Sequence, residues 1–194
     1  GAEEFISRSG NPRALLFIHG FPGSPNMFHI VRQLAIKDEY DVFCPRIPGF
    51  GTNIREFVKT DFSTWFNYLV EYYKGIRGEY KEFYIVGHSM GGAMCLKLSQ
   101  NFRNSDLSPT AIAVISAPVF LTNIFKGVVK TPLLYFLRVL GLFKSYLPPR
   151  SGIKKVEDDE DGETLWVGYR GLFPRQTYSL KMGLLNIKRN LRLV

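Results

Sequence analysis

The chain has 194 residues, 45% of them hydrophobic and including 16 Phe and 10 Tyr, which is enough for one domain with a sizeable core and excludes a disordered chain, a collagen-like fibre or a disulfide-stapled miniprotein. Two cysteines, Cys44 and Cys95, and three scattered histidines, His19, His29 and His88, make no metal-ligand spacing, so reduced thiols and a cytoplasmic setting are expected. The net charge of +8 is uneven: residues 1–121 carry 12 basic and 11 acidic side chains and residues 122–194 carry 13 and 6, yet no nucleic-acid motif accompanies the basic excess and no nucleic-acid partner is expected.

In chain order, the apolar run at 14–18 reads as a buried strand ending at His19-Gly20. Ser24 as N-cap and Pro25 at the first helical position then introduce a helix with Met27, Phe28, Val31, Leu34 and Ala35 at helical spacing. Residues 41–44 form a second strand, and the proline- and glycine-dense 45–51 can only be a loop. Asp61 caps the clearest helix, whose Phe62, Trp65, Phe66, Leu69, Val70 and Tyr73 repeat at i, i+3, i+4, i+7. Residues 83–86 are a third strand, followed by a helix to about Gln100, and 111–115 a fourth. This alternation is that of a parallel sheet covered by helices. It stops after Leu121. Residues 131–147 read as an unusually apolar helix, the acidic 157–163 as a solvated loop, and 175–194 as a last helix. No stretch reaches the roughly 18 apolar residues of a membrane span, and Gly1-Ala2-Glu3-Glu4 does not read as a signal peptide.

Gly87-His88-Ser89-Met90-Gly91 fits G-x-S-x-G at a strand-to-helix junction. A serine on so tight a turn needs small neighbours, so that the backbone can fold closely while the hydroxyl projects into a cleft. The following helix aims its N-terminus at the reacting centre, which makes the Met90 N–H one donor to a developing oxyanion. A second donor is needed, and the glycine-rich loop His19-Gly20-Phe21-Pro22-Gly23-Ser24 after the first strand offers the Phe21 N–H. Either motif alone is as readily an ordinary turn; the two together, with Gly20 and Ser89 separated by 69 residues and one strand-helix unit, are specific.

On these residues, together with Pro45-Arg46-Ile47-Pro48-Gly49-Phe50-Gly51-Thr52 and Ser116-Ala117-Pro118, the sequence resembles the α/β-hydrolases, within them the bacterial monoacylglycerol lipase and carboxylesterase group. The resemblance covers residues 14–121 well and the rest loosely. It implies a mostly parallel sheet with helices on both faces and a helical cap inserted after the fourth strand. Residues 1–121 are then the amino-terminal part of the core, residues 122–194 the cap and the return toward the core, and the carboxy-terminal strands are missing from this chain. It also implies a Ser-Asp-His ester hydrolase with Ser89 as nucleophile and the Phe21 and Met90 amides as oxyanion hole, needing no metal or organic cofactor. Phe50 departs from the pattern, since relatives often carry His in that loop.

In this fold the triad runs Ser, then Asp or Glu, then His, and no histidine follows Ser89 in these residues. His88 and His19 read as structural, His29 as a residue on a solvated helix face, and Asp158, Asp159 and Asp161 belong to the acidic loop. Two readings follow. The preferred one is the amino-terminal portion of a longer serine hydrolase, completed by its remaining carboxy-terminal segment, as a retained fragment or a separate chain; an apolar sheet edge at 111–115 argues for it. The alternative is a catalytically silent binding module. The expected substrate is a small ester, acyl- or lipid-like, with Leu133, Leu134, Tyr135, Phe136, Leu137, Val139, Leu140, Leu142 and Phe143 as candidate lining of an acyl pocket. Arg138 and Lys144 let the cap lean on an anionic membrane surface.

Overall fold

Among the described residues five strands make one sheet: β1 (Phe5–Ser7), β2 (Arg13–Ile18), β3 (Asp41–Cys44), β4 (Glu82–His88) and β5 (Ala111–Ile115), in the spatial order β1-β3-β2-β4-β5. The structure is a computed structural model and describes residues 2–120, 132–149 and 168–194. β2 runs parallel to β3 and to β4, and β4 parallel to β5; β1 alone is antiparallel, pairing Phe5 with Cys44. Three residues are too few to show an alternation, so β1 takes its conformation from the edge of β3 rather than from its own pattern. The register sets Ile18 opposite Gly87 and His88 opposite Ile115, so the loops leaving the carboxyl ends of β2, β4 and β5 meet at one level.

The crossovers are helical. A 3₁₀ turn (Pro25–Phe28) leads into α1 (His29–Lys37), a single turn α2 (Ile54–Phe57) follows β3, and α3 (Phe62–Arg77) and α4 (Met90–Asn101) flank β4. Asp61 caps α3 as its sequence suggests, accepting the Thr64 N–H at 3.0 Å. Ser24 does not cap with its side chain: its extended backbone starts the turn with Pro25 at N1, but the buried hydroxyl has no partner among the described residues. Past β5, α5 (Pro132–Phe143) and α6 (Pro174–Arg189) pack on each other, and α6 also lies against α3 and α4. No helix among the described residues is long and apolar enough to cross a membrane.

Strand alternation divides the core unequally. Leu16, Ile18, Phe43, Phe83 and Ile85 point into a large cluster with Trp65, Leu69 and Tyr73 of α3, Met94 and Leu98 of α4, and Leu184 and Ile187 of α6. The opposite face holds a smaller cluster, Phe17, Phe28, Ala35, Val42 and Cys44, beneath α1. Beside α1 an apolar trough of about 400 Å³ lies open, floored by Leu15, Phe17, Val86 and Ala113 and walled by Val31 and Leu34. At its far side β5 is the outermost strand among the described residues, with Val114 37% and Ile115 47% exposed.

Candidate active site

At the end of β4 the backbone turns so sharply that Ser89 adopts φ 55°, ψ −117°, the left-handed side of the map that a side chain strains to occupy. α4 begins at the next residue. A Cβ on Gly87 would collide with the Gly91 carbonyl and the Cys95 Sγ, and one on Gly91 with the Ile18 carbonyl, which is the steric reason for glycine on both sides of the serine. The Ser89 N–H donates to the Ile115 carbonyl at 2.8 Å, and its carbonyl accepts from Ala93 at 3.1 Å, tying the bend to β5 and to the first turn of α4. Its side chain is half-buried, at the surface end of the sheet. Met90 is wholly buried as the first residue of α4, where amide N–H groups have no acceptor within the helix.

The loop after β2 closes on the same point. A Cβ on Gly20 would sit 3.2 Å from the Ser89 Cβ, so the Gly20 backbone lies directly against the serine. The turn is fixed by the Gly23 N–H donating to the Gly20 carbonyl at 2.9 Å. Phe21 is half-buried, its ring packed on Phe57 at 5.7 Å, Trp65 at 5.8 Å and Phe50 at 6.2 Å. Ser89, Met90 and the Gly20–Phe21 turn are thus brought to one place. Phe50, fully buried, fills the centre of this aromatic group and meets the edge of His19 at 5.0 Å.

None of the three histidines is hydrogen-bonded to Ser89. His19 is fully buried, its Nε2 accepting the Ile47 N–H at 3.3 Å and its Nδ1 lying 3.2 Å from the Gly20 carbonyl. An accepting Nε2 leaves the proton on Nδ1, which then donates to Gly20. Burial pushes its pKa down to about 4, against a smaller opposing pull from the Gly20 carbonyl, so the ring is a neutral brace between two loops. His88 alternates onto the face of the sheet that carries α1, and its Nδ1 is buried without a partner among the described residues. His29 is not on a solvated face: its ring is half-buried, with Nδ1 3.1 Å from the Asn26 carbonyl and Nε2 enclosed. The carbonyl of Asn26, in the preceding 3₁₀ turn, holds the ring there.

Asp158, Asp159 and Asp161 lie outside the described residues, as do the side chains of Leu133 and Leu134. Most of the remaining acyl-pocket candidates face away from the protein: Tyr135, Phe136, Val139, Leu142 and Phe143 form one stripe of α5 exposed between 53% and 79%, and Leu137 alone is buried. α5 turns its other side, at Gly141, onto the Arg175 backbone of α6. The sequence reading also passed over Tyr169 and Gln176. Tyr169 donates its N–H to the Pro22 carbonyl at 3.1 Å and its hydroxyl to the Gly49 carbonyl at 2.6 Å, while Thr52 N–H donates to that hydroxyl at 2.9 Å. Gln176, fully buried, donates to the Val58 and Thr60 carbonyls at 2.9 Å each. No periodicity or motif marks either residue.

Comparison with known proteins bears on the family and the fold. The chain is similar to the thermostable monoacylglycerol lipase of Bacillus sp. (strain H-257), 32% identical over 101 residues covering 52% of this chain and 40% of the lipase. It is similar to the carboxylesterase of Bacillus subtilis (strain 168), 28% identical over 90 residues covering 46% of this chain and 37% of the esterase. The chain therefore spans less than half the length of these two relatives. Its fold matches a solved structure from work on LipS and LipT, two metagenome-derived lipolytic enzymes, with a TM-score of 0.74 at 24% identity over 98% of this chain and 71% of that one. The family model described as alpha/beta hydrolase fold matches residues 13–144, and the chain belongs to that family.

Proposed function

We propose that this chain carries the nucleophile and oxyanion hole of a serine hydrolase acting on carboxylic esters, of the carboxylesterase or monoacylglycerol/lysophospholipid lipase type. The observation that carries the reading is the strained, half-exposed Ser89 at the head of α4 with the Gly20 backbone against it. The names of the two curated relatives support an ester as substrate. In this mechanism the Ser89 hydroxyl attacks the ester carbonyl, the Phe21 and Met90 N–H groups hold the tetrahedral oxyanion, the alcohol leaves, and water releases the acid from the acyl-enzyme. The proton acceptor is a histidine outside these residues, because His19 has both ring nitrogens committed and no histidine follows Ser89 here. Labelling the full-length protein with a fluorophosphonate tests it: wild type reacts and Ser89→Ala does not. A wild type that stays unlabelled supports the binding-module reading instead.

The same proposal includes a carboxy-terminal segment of this hydrolase, continuous or as a second chain, that covers β5 and the trough beside α1. Two strand spacings, β4 and β5, leave about 10 Å of floor, the diameter of one helix. Isolation of the 194-residue species alone as a soluble monomer without added apolar-dye binding would remove this part. The cytoplasmic setting, supported by two free, buried thiols, belongs to the proposal as well. So does contact of the α5 stripe, with Arg138 beside it, with an anionic lipid surface; liposome flotation independent of anionic lipid content would count against it.

A further inference from the structure

Tyr169 stands apart from every motif and yet is bonded to both loops that build the site. Its N–H holds the Pro22 carbonyl at 3.1 Å. Its hydroxyl is wedged between the Gly49 carbonyl at 2.6 Å and the Thr52 N–H at 2.9 Å, with Thr52 Oγ1, itself donating to Gly49, 3.3 Å away. Its ring lies 4.9 Å from Phe57, the ring that also contacts Phe21 at 5.7 Å. Within the loop it grips, Pro22 has no N–H to give, and the turn's internal bond runs from Gly23 to Gly20, leaving the Pro22 carbonyl for an outside donor. In the second loop Gly49 and Gly51 sit at φ 85° and 61° on either side of the buried Phe50, and the Tyr169 hydroxyl adds a backbone tie beside that ring.

We propose that Tyr169 is a positioning residue for the oxyanion hole: it clips the Gly20–Gly23 turn to the Gly49–Thr52 turn and thereby holds the Phe21 amide at the distance from Ser89 that the transition state requires. The inference rests on the ester-hydrolase reading of Ser89. It also makes the hole depend on the segment that returns from the cap, because Tyr169 follows α5 and precedes α6.

The test is Tyr169→Phe in the full-length protein, which keeps the ring and the backbone N–H and removes only the hydroxyl. Displacing a donor costs less than deleting it, so kcat on a short aryl ester falls roughly tenfold with KM within about twofold. Affinity for a trifluoromethyl ketone, which forms the oxyanion on binding, falls by the same factor as kcat/KM. Amide exchange at Gly23 and at residue 169 speeds up, with Tm within about 2 °C of wild type. Tyr169→Ala, lacking the ring too, shows the same pattern enlarged. Unchanged kcat, or unchanged exchange at Gly23, overturns the proposal. A wild type that hydrolyses no ester and binds no ketone sinks the ester-hydrolase reading instead, and the exchange measurement still decides whether Tyr169 holds the loop.

Discussion

Gly91 faces the Ile18 carbonyl so closely that no side chain fits between them. The first turn of α4 is pressed onto the end of β2, and this contact brings the amide end of the helix and the Gly20 loop to the same serine. Gly91→Ala must push β2 and α4 apart. We expect a loss of about 3 kcal/mol or failure to fold, read as a lowered urea midpoint, whereas Gly78→Ala, with open space around it, changes the midpoint little.

Ser89 is strained in a way glycine is not. Ser89→Gly is expected to raise stability by about 1 kcal/mol while lowering hydrolysis by roughly 10⁴-fold or more, and Ser89→Ala to lose activity equally without the gain. Thermal unfolding of the three proteins side by side decides it: a Ser89→Gly protein no more stable than Ser89→Ala contradicts the strain argument.

Buried neutral His19 makes stability pH-dependent. Its folded pKa of about 4 lies below the unfolded value of about 6.5, so the unfolded chain binds the proton first. Its effect is absent above pH 6.5 and grows as pH falls toward 4, where it reaches on the order of 3 kcal/mol. His19→Gln keeps an acceptor for Ile47 N–H and should flatten the slope of stability against pH across that window, measured by urea unfolding at half-unit steps.

Gln176 reaches from α6 into the loop beneath the aromatic group and occupies two backbone carbonyls at once. Gln176→Leu leaves both buried and unpaired, an expected cost of about 2 to 4 kcal/mol. Gln176→Glu keeps the shape but removes the donor; a loss similar to that of leucine indicates that the hydrogen bonds, not the packing, hold the loop.

The strands, the long helices and the elbow were legible because each is written in consecutive residues: the period of Phe62 to Tyr73 faces one core, and Gly87, Ser89 and Gly91 fall where one strand meets one helix. Non-local features were not. Tyr169 is joined to Thr52 and Gly49 across 117 and 120 residues of sequence, and no spacing records such a contact. β1 is a strand because β3 has a free side. The apolar residues of α5 looked like pocket lining because composition reports that a side chain is apolar and is silent on the direction it faces; Leu142 and Phe143 face water at 78% and 79% exposure.

The five strands found among the described residues and the helices α1 to α4 all lie within the first 115 residues, with β5 at one margin of that sheet. On a ribosome, that half has its interior pairings available before any later residue has been made.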